Sequence, residues 1–156
     1  MEETMILDYK NIKSYFRQTA EYIFLDRVEI VPGKSAEGMK LVSAQDWYFK
    51  YHFPENPIMP GVFQMEAIMQ TGGLIINAME GKKEFPLLFR SSKSVHIYKG
   101  VRPGDILKTE VVLETYRRGI ARFHGKATAG GELSCEMEFS LISSNELQSA
   151  LPRGEK

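Results

Sequence analysis

Twenty-one residues from Met59 to Met79 carry a single charge, that of Glu66. Apolar side chains in this run point every way round a helix: Val62, Phe63, Met65, Ala67, Ile68, Met69, Leu74, Ile75, Ile76 and Met79. A helix apolar on all sides belongs in a core rather than on a surface. It is a poor membrane span, because Gln64, Glu66, Gln70 and the Gly72-Gly73 pair interrupt it and prolines crowd its start. The chain must therefore build a fold around a buried helix that carries one carboxylate. A lone buried acid is costly unless it is paired or protonated. Fourteen residues before Glu66 stands His52, on a stretch stiffened by Pro54, Pro57 and Pro60. These two residues are expected to meet in an active site.

At 156 residues the chain is one domain's worth, enough to bury about two-thirds of its unfolded surface. Lys plus Arg (20) balances Asp plus Glu (20), so nothing points to a nucleic-acid partner. The single Cys135 excludes an intrachain disulfide, and three histidines without ligand spacing give no metal site. No glycine-rich phosphate loop is present. The N-terminus shows no basic-then-apolar export signal, so the expectation is a cytoplasmic protein that is not inserted in a membrane and needs no cofactor.

Around the helix the pattern is mostly strand. Residues 9–21 read as a short amphipathic helix capped by Asp8. Tyr22 to Val31 and Gly38 to Tyr51 follow, the second ending in an aromatic-rich loop, with Pro32-Gly33-Lys34 as a turn. Gly81 is placed to end the helix. Phe85–Tyr98, Ile106–Arg117, Ile120–Ala129 and Glu132–Ser143 read as strands, the last two pairs being joined at Arg118-Gly119 and Gly130-Gly131. In the last strand Leu133, Cys135, Met137, Phe139 and Leu141 alternate with polar residues, the mark of an antiparallel sheet packed on one face. The expected layout is α+β, one long buried helix wrapped by a five- or six-stranded antiparallel sheet. One sheet face cannot cover such a helix, so a symmetric dimer is expected. The division expected is an N-terminal helical segment at 1–21, the main domain at 22–143 and a solvated tail at 144–156.

The run His52-Phe53-Pro54, Asn56-Pro57-Ile58-Met59-Pro60-Gly61-Val62, Glu66-Ala67 and Gln70 resembles the (3R)-hydroxyacyl-acyl-carrier-protein dehydratases of bacterial fatty-acid synthesis, which have the hotdog fold. The resemblance extends to Phe24-Leu25, Asp26-Arg27-Val28, Val101, Pro103-Gly104-Asp105 and Arg117-Arg118-Gly119, and covers roughly residues 22–143. Glu66 matches the branch with Glu, rather than Asp, on the central helix; that branch only dehydrates. The chain departs from the family in having Glu55 and Tyr51 where glycine is usual, and in lacking the His-Arg-Tyr-Pro stretch before the first strand. The resemblance implies a homodimer, or a trimer of dimers, acting on chains carried by acyl-carrier protein, with His52 and Glu66 of each site coming from different protomers.

The chemistry suits these residue types. Dehydrating a β-hydroxyacyl thioester needs a base for the α-proton, an acid for the leaving hydroxyl and a donor for the thioester oxygen. Histidine, with an unperturbed pKa of about 6.5, is a fitting base. A carboxyl in apolar surroundings holds its proton and fits the acid. The Gly61 N–H at the helix start is a candidate oxyanion donor, with Phe53, Pro60 and Val62 as neighbouring substrate-binding candidates. His96, His124 and Cys135 read as ordinary strand residues. Lys82, Lys83, Arg90, Lys93, Lys99 and Arg102 read as a solvated face, with a carrier-protein docking patch as the second reading. Three other functions stay open on sequence alone: a thioesterase, a dehydratase-like protein of a polyketide or polyene pathway, and a non-catalytic acyl-binding domain.

Overall fold

The computed structural model describes residues 2–81, 83 and 87–145. The chain begins with strand β1 (Met5–Asp8) and a single helical turn, α1 (Tyr9–Lys13). Then come β2 (Arg27–Val31), β3 (Ser35–Leu41), the long helix α2 (Gly61–Glu80), β4 (Leu87–Ile97), β5 (Ile106–Arg117), β6 (Ile120–Ala129) and β7 (Glu132–Ser143). The strands form one antiparallel sheet in the order β1-β2-β3-β5-β6-β7-β4. Helix α2 lies across β3, β5, β6 and β7. Ile68, Leu74, Ile75 and Ile76 are buried in the same core as Val111, Phe123, Met137 and Phe139. Apolar surface removed from water stabilises this layer by about 25 cal/mol per Å². The α+β layout is the expected one, with a long helix backed by an antiparallel sheet.

Among the described residues the sheet has seven strands rather than five or six. The addition is β1, which pairs with β2 from Met5↔Ile30 to Asp8↔Arg27; four residues are too few to show a period. Asp8 does cap α1, accepting from the Asn11 N–H at 2.9 Å. However, the helix stops at Lys13 instead of reaching residue 21, so the segment at 1–21 is not simply helical. A five-residue helix is unstable alone, and Tyr15 and Phe16 turn away to pack on the core.

The strand expected from Tyr22 begins only at Arg27, because the Phe24 N–H is taken by the Gln70 side chain at 2.9 Å. Beyond Leu41, the aromatic stretch closes into a 3-10 turn at Trp47–Lys50. In β7 the alternation breaks at its start. The pairing slips between Ala127 and Thr128, Ser134 is the extra, buried residue of a bulge, and Leu133 is left 37% exposed. Phe85, and the tail beyond Asn145, lie outside the described residues.

The helix ends as expected. Gly81 takes φ 62° and its N–H returns to Asn77 and Ala78; a residue with a Cβ is disfavoured there. Among the described residues no helix is long and apolar enough to cross a membrane. The sheet leaves one side of α2 uncovered: Val62 is 61% exposed, and Met65 and Met69 are only half-buried.

Candidate active site

His52 sits in a loop that closes on itself. Its N–H donates to Tyr48 O at 2.9 Å and its carbonyl accepts from the Ile58 N–H at 3.0 Å. The imidazole Nδ1 lies 2.9 Å from Ile58 O. A ring nitrogen facing a carbonyl oxygen must carry the proton, so the lone pair is on Nε2. The Phe53 ring stacks on the imidazole, 4.1 Å between centroids, and the peptide joining the two residues is cis. Arg102 staples the loop from outside, donating to Asn56 Oδ1 at 2.6 Å and to Pro57 O at 3.3 Å. The Met59 N–H donates to Val101 O at 2.8 Å. Glu55 and Tyr51, the departures from the family pattern, both point to solvent.

Pro60 stands one position before the helix, not within it, and α2 starts at Gly61 without a side-chain cap. The Phe63 N–H turns back to Pro60 O. The partial positive charge of the first turn is thus left for an oxygen supplied from elsewhere. Gly61 has a second reason to be glycine that the sequence did not show: a Cβ there would lie 2.4 Å from Ile97 Cδ1. Phe53 and Val62 are surface residues, 52% and 61% exposed.

Glu66 lies on the second turn of α2, and burial pushes its carboxyl above the ordinary carboxylate value. Gln70, one turn on, opposes this by donating Nε2–H to Glu66 Oε1 at 3.2 Å. The same amide nitrogen donates to Tyr22 O at 2.7 Å, while Gln70 Oε1 accepts from the Phe24 N–H. One buried side chain therefore ties the carboxyl to the segment ahead of β2. Sequence reasoning gave Gln70 no role, although i,i+4 spacing on a helix was the available signal. The Tyr22 hydroxyl is pushed up by burial and by the charge of Glu66.

Glu66 opens onto a cavity of about 360 Å³, within the range of small-molecule sites. Its walls come from α2, from Tyr15 and Phe16, and from Leu87, Leu88 and Phe89 of β4. His52 does not line it, and no hydrogen bond joins His52 to Glu66. The two candidates are not brought together within one chain.

The remaining candidates behave as strand residues. His124 lies 3.6 Å from Glu136 and His96 stacks on Tyr98. Cys135 is buried, its thiol pushed up to about 11 by that burial. Of the basic residues, Lys99 pairs with Glu132 at 2.9 Å, Lys83 lies over the Tyr15 ring, and Lys82 lies outside the described residues. Among the described residues no three metal-ligating side chains cluster.

The profile of the FabA-like domain family matches residues 18–138. A 3-hydroxyacyl-acyl-carrier-protein dehydratase FabZ of Chloroflexus aggregans is 40% identical over 134 residues, covering 85% of this chain and 93% of that protein. The FabZ of a Roseiflexus species is 37% identical over 142 residues, covering 90% and 99%. Among solved structures, the dehydratase heterocomplex ApeI:P from Xenorhabdus doucetiae superposes with a TM-score of 0.75 at 14% identity, covering 91% of this chain and 97% of that one. An uncharacterised protein from Pyrococcus horikoshii gives 0.63 at 15% identity, covering 83% and 91%. At such identities the two structures speak for the fold alone.

Proposed function

The chain belongs to the family of FabA-like 3-hydroxyacyl-acyl-carrier-protein dehydratases, and from that premise we infer how its residues divide the reaction. It is a hydro-lyase with the hotdog fold, removing water from 3-hydroxyacyl chains on acyl-carrier protein to give trans-2-enoyl thioesters in fatty-acid synthesis. His52 Nε2 takes the α-proton. The freed electron pair forms the carbon–carbon double bond as the β-carbon–oxygen bond breaks. Glu66 gives its proton to the departing hydroxyl, which leaves as water, and ends ionised while His52 ends protonated. The Gly61 N–H, at the positive end of α2, donates to the thioester oxygen as charge gathers there. Phe53, Pro60 and Val62 border the path of the carrier's arm.

The observation that carries this reading is a carboxyl held towards its protonated form by burial and opening onto a cavity that apolar side chains such as Met69, Leu87 and Leu141 help to wall. A general acid needs that state, and a surface ion pair does not supply it. The absence of His52 from that cavity supports a composite site, in which His52 of the partner subunit reaches Glu66. β4 is an edge strand with Phe89 and Ile97 about half exposed. A long edge strand with unpaired backbone groups and exposed apolar side chains among its polar ones is suited to pairing with a second copy.

The test is hydration of a crotonyl thioester on carrier protein or a pantetheine mimic, followed by loss of the conjugated-enoyl absorbance. Wild type should turn over, and His52→Ala and Glu66→Gln should each lose about 10²–10⁴ in rate. Full activity in either variant would remove that residue from its assigned role.

A further inference from the structure

We propose that Gly73 sets the length of acyl chain this site accepts, an inference that rests on the reading of Glu66 as the acid at the reacting carbons. Five α2 residues line the cavity: Glu66, Met69, Gln70, Gly73 and Asn77. Their spacing, i, i+3, i+4, i+7 and i+11, places them in one stripe along the helix. The stripe starts at the carboxyl and runs away from it along the cavity wall. Gly73 lies seven residues beyond Glu66, roughly 10 Å along the axis.

The two adjacent glycines differ in their surroundings. At Gly72 a Cβ would lie 3.0 Å from Phe139 Cζ and 3.4 Å from Phe123 Cδ1, so a side chain there would press on the aromatic rings of the sheet. At Gly73 the nearest described atoms to a Cβ would be Leu87 Cδ1 at 3.7 Å and Leu141 Cδ1 at 3.8 Å, both ordinary contacts. Glycine inside a helix is costly relative to alanine, because its backbone loses more freedom on folding. At Gly73 no contact among the described residues accounts for that cost. What the missing side chain leaves is open cavity.

An extended chain advances about 1.2 Å per bond. Gly73 therefore stands level with an acyl chain about eight bonds beyond the reacting carbons. A short chain ends before reaching it, and a long one must pass it. A side chain here would act as a floor.

The experiment compares kcat/KM for crotonyl and dodecenoyl thioesters in wild type, Gly73→Ala, Gly73→Val and Gly73→Val with Leu87→Ala, whose removal vacates the atom nearest the new side chain. The dodecenoyl-to-crotonyl ratio should fall about tenfold or more in Gly73→Val. It should fall less in Gly73→Ala and recover in the double variant. Gly73→Ala should also melt about 2–4 °C higher, which keeps the test valid if the valine fails to fold. An equal loss at both lengths, an unchanged ratio, or dissociation of the oligomer on substitution would overturn the proposal. Glu66→Gln, measured alongside on crotonyl thioester, separates the two ideas: full activity there defeats the underlying reading, while its loss with an unchanged ratio defeats Gly73 alone.

Discussion

His52 Nδ1 stands 2.9 Å from the carbonyl oxygen of Ile58, six residues further along the same loop. That contact fixes which ring nitrogen carries the proton and leaves Nε2 as the base. Replacing His52 with alanine should lower kcat about 10²–10⁴-fold and shift Tm little, because the loop's backbone bonds to Tyr48 and Ile58 remain. Steady-state hydration assays with a melting curve on the same preparation decide it; unfolding of the variant would mark His52 as structural.

Gln70 should matter to both rate and stability. Gln70→Leu removes the bond to Glu66 and leaves the buried Phe24 N–H unpaired, a penalty of about 1–3 kcal/mol. Loss of a hydrogen bond to a reacting carboxyl should lower kcat/KM about 10–100-fold. Gln70 favours the ionised carboxylate, so without it the Glu66 carboxyl holds its proton to higher pH. The alkaline limb of the pH–rate profile for dehydration, the direction in which Glu66 must hold its proton, should move upward; a downward move would contradict the geometry.

Glu66 makes stability depend on pH. Its carboxyl is raised by burial, so the folded protein keeps the proton at pH values where the unfolded chain has lost it. Stability therefore falls as pH rises from the ordinary carboxylate range through the raised value. Glu66→Gln lacks that titration. Denaturant midpoints should be similar for the two proteins at low pH and should separate in favour of Glu66→Gln as pH rises. Parallel curves across the range would show that the carboxyl is not raised.

Gly38→Ala should be destabilising by about 1–3 kcal/mol. Its Cβ would lie 2.4 Å from Thr109 Oγ1 and 2.8 Å from Thr71 Oγ1, the two hydroxyls that bond each other at 2.7 Å between helix and sheet. The expected fall in Tm is about 2–4 °C per kcal/mol. An unchanged Tm would mean that β3 gives way more easily than this packing allows.

Long elements with a strong period were legible in the sequence. The limits of β5, β6 and β7 match their alternating runs, because each ends at a turn: Arg118 and Gly119 at φ 52° and 74°, Gly130 and Gly131 at 61° and 77°. Helix α2 was legible because so long an uncharged run has nowhere else to go. β1 was not, since four residues carry no pattern. The helix expected to reach residue 21 was cut short by Tyr15 and Phe16, whose burial depends on a core remote in sequence. The bulge at Ser134 left no trace in a pattern that looked regular.

At the site, residue types and the fourteen-residue spacing named His52 and Glu66. The clamp by Gln70 needed the fold, because its partners at Tyr22 and Phe24 lie 48 and 46 residues away. The contrast between Gly72 and Gly73 needed the positions of Phe139, Phe123 and Leu87.

Subunit complementation tests the composite site most directly. His52→Ala and Glu66→Gln chains, each inactive alone, are mixed in equal amounts under subunit exchange and assayed for enoyl hydration. If His52 of one protomer serves Glu66 of the other, half the dimers are mixed and each holds one intact site, so about a quarter of wild-type activity returns. If both residues act within one chain, every site lacks one of them, and verified mixed dimers that stay inactive would contradict the composite arrangement.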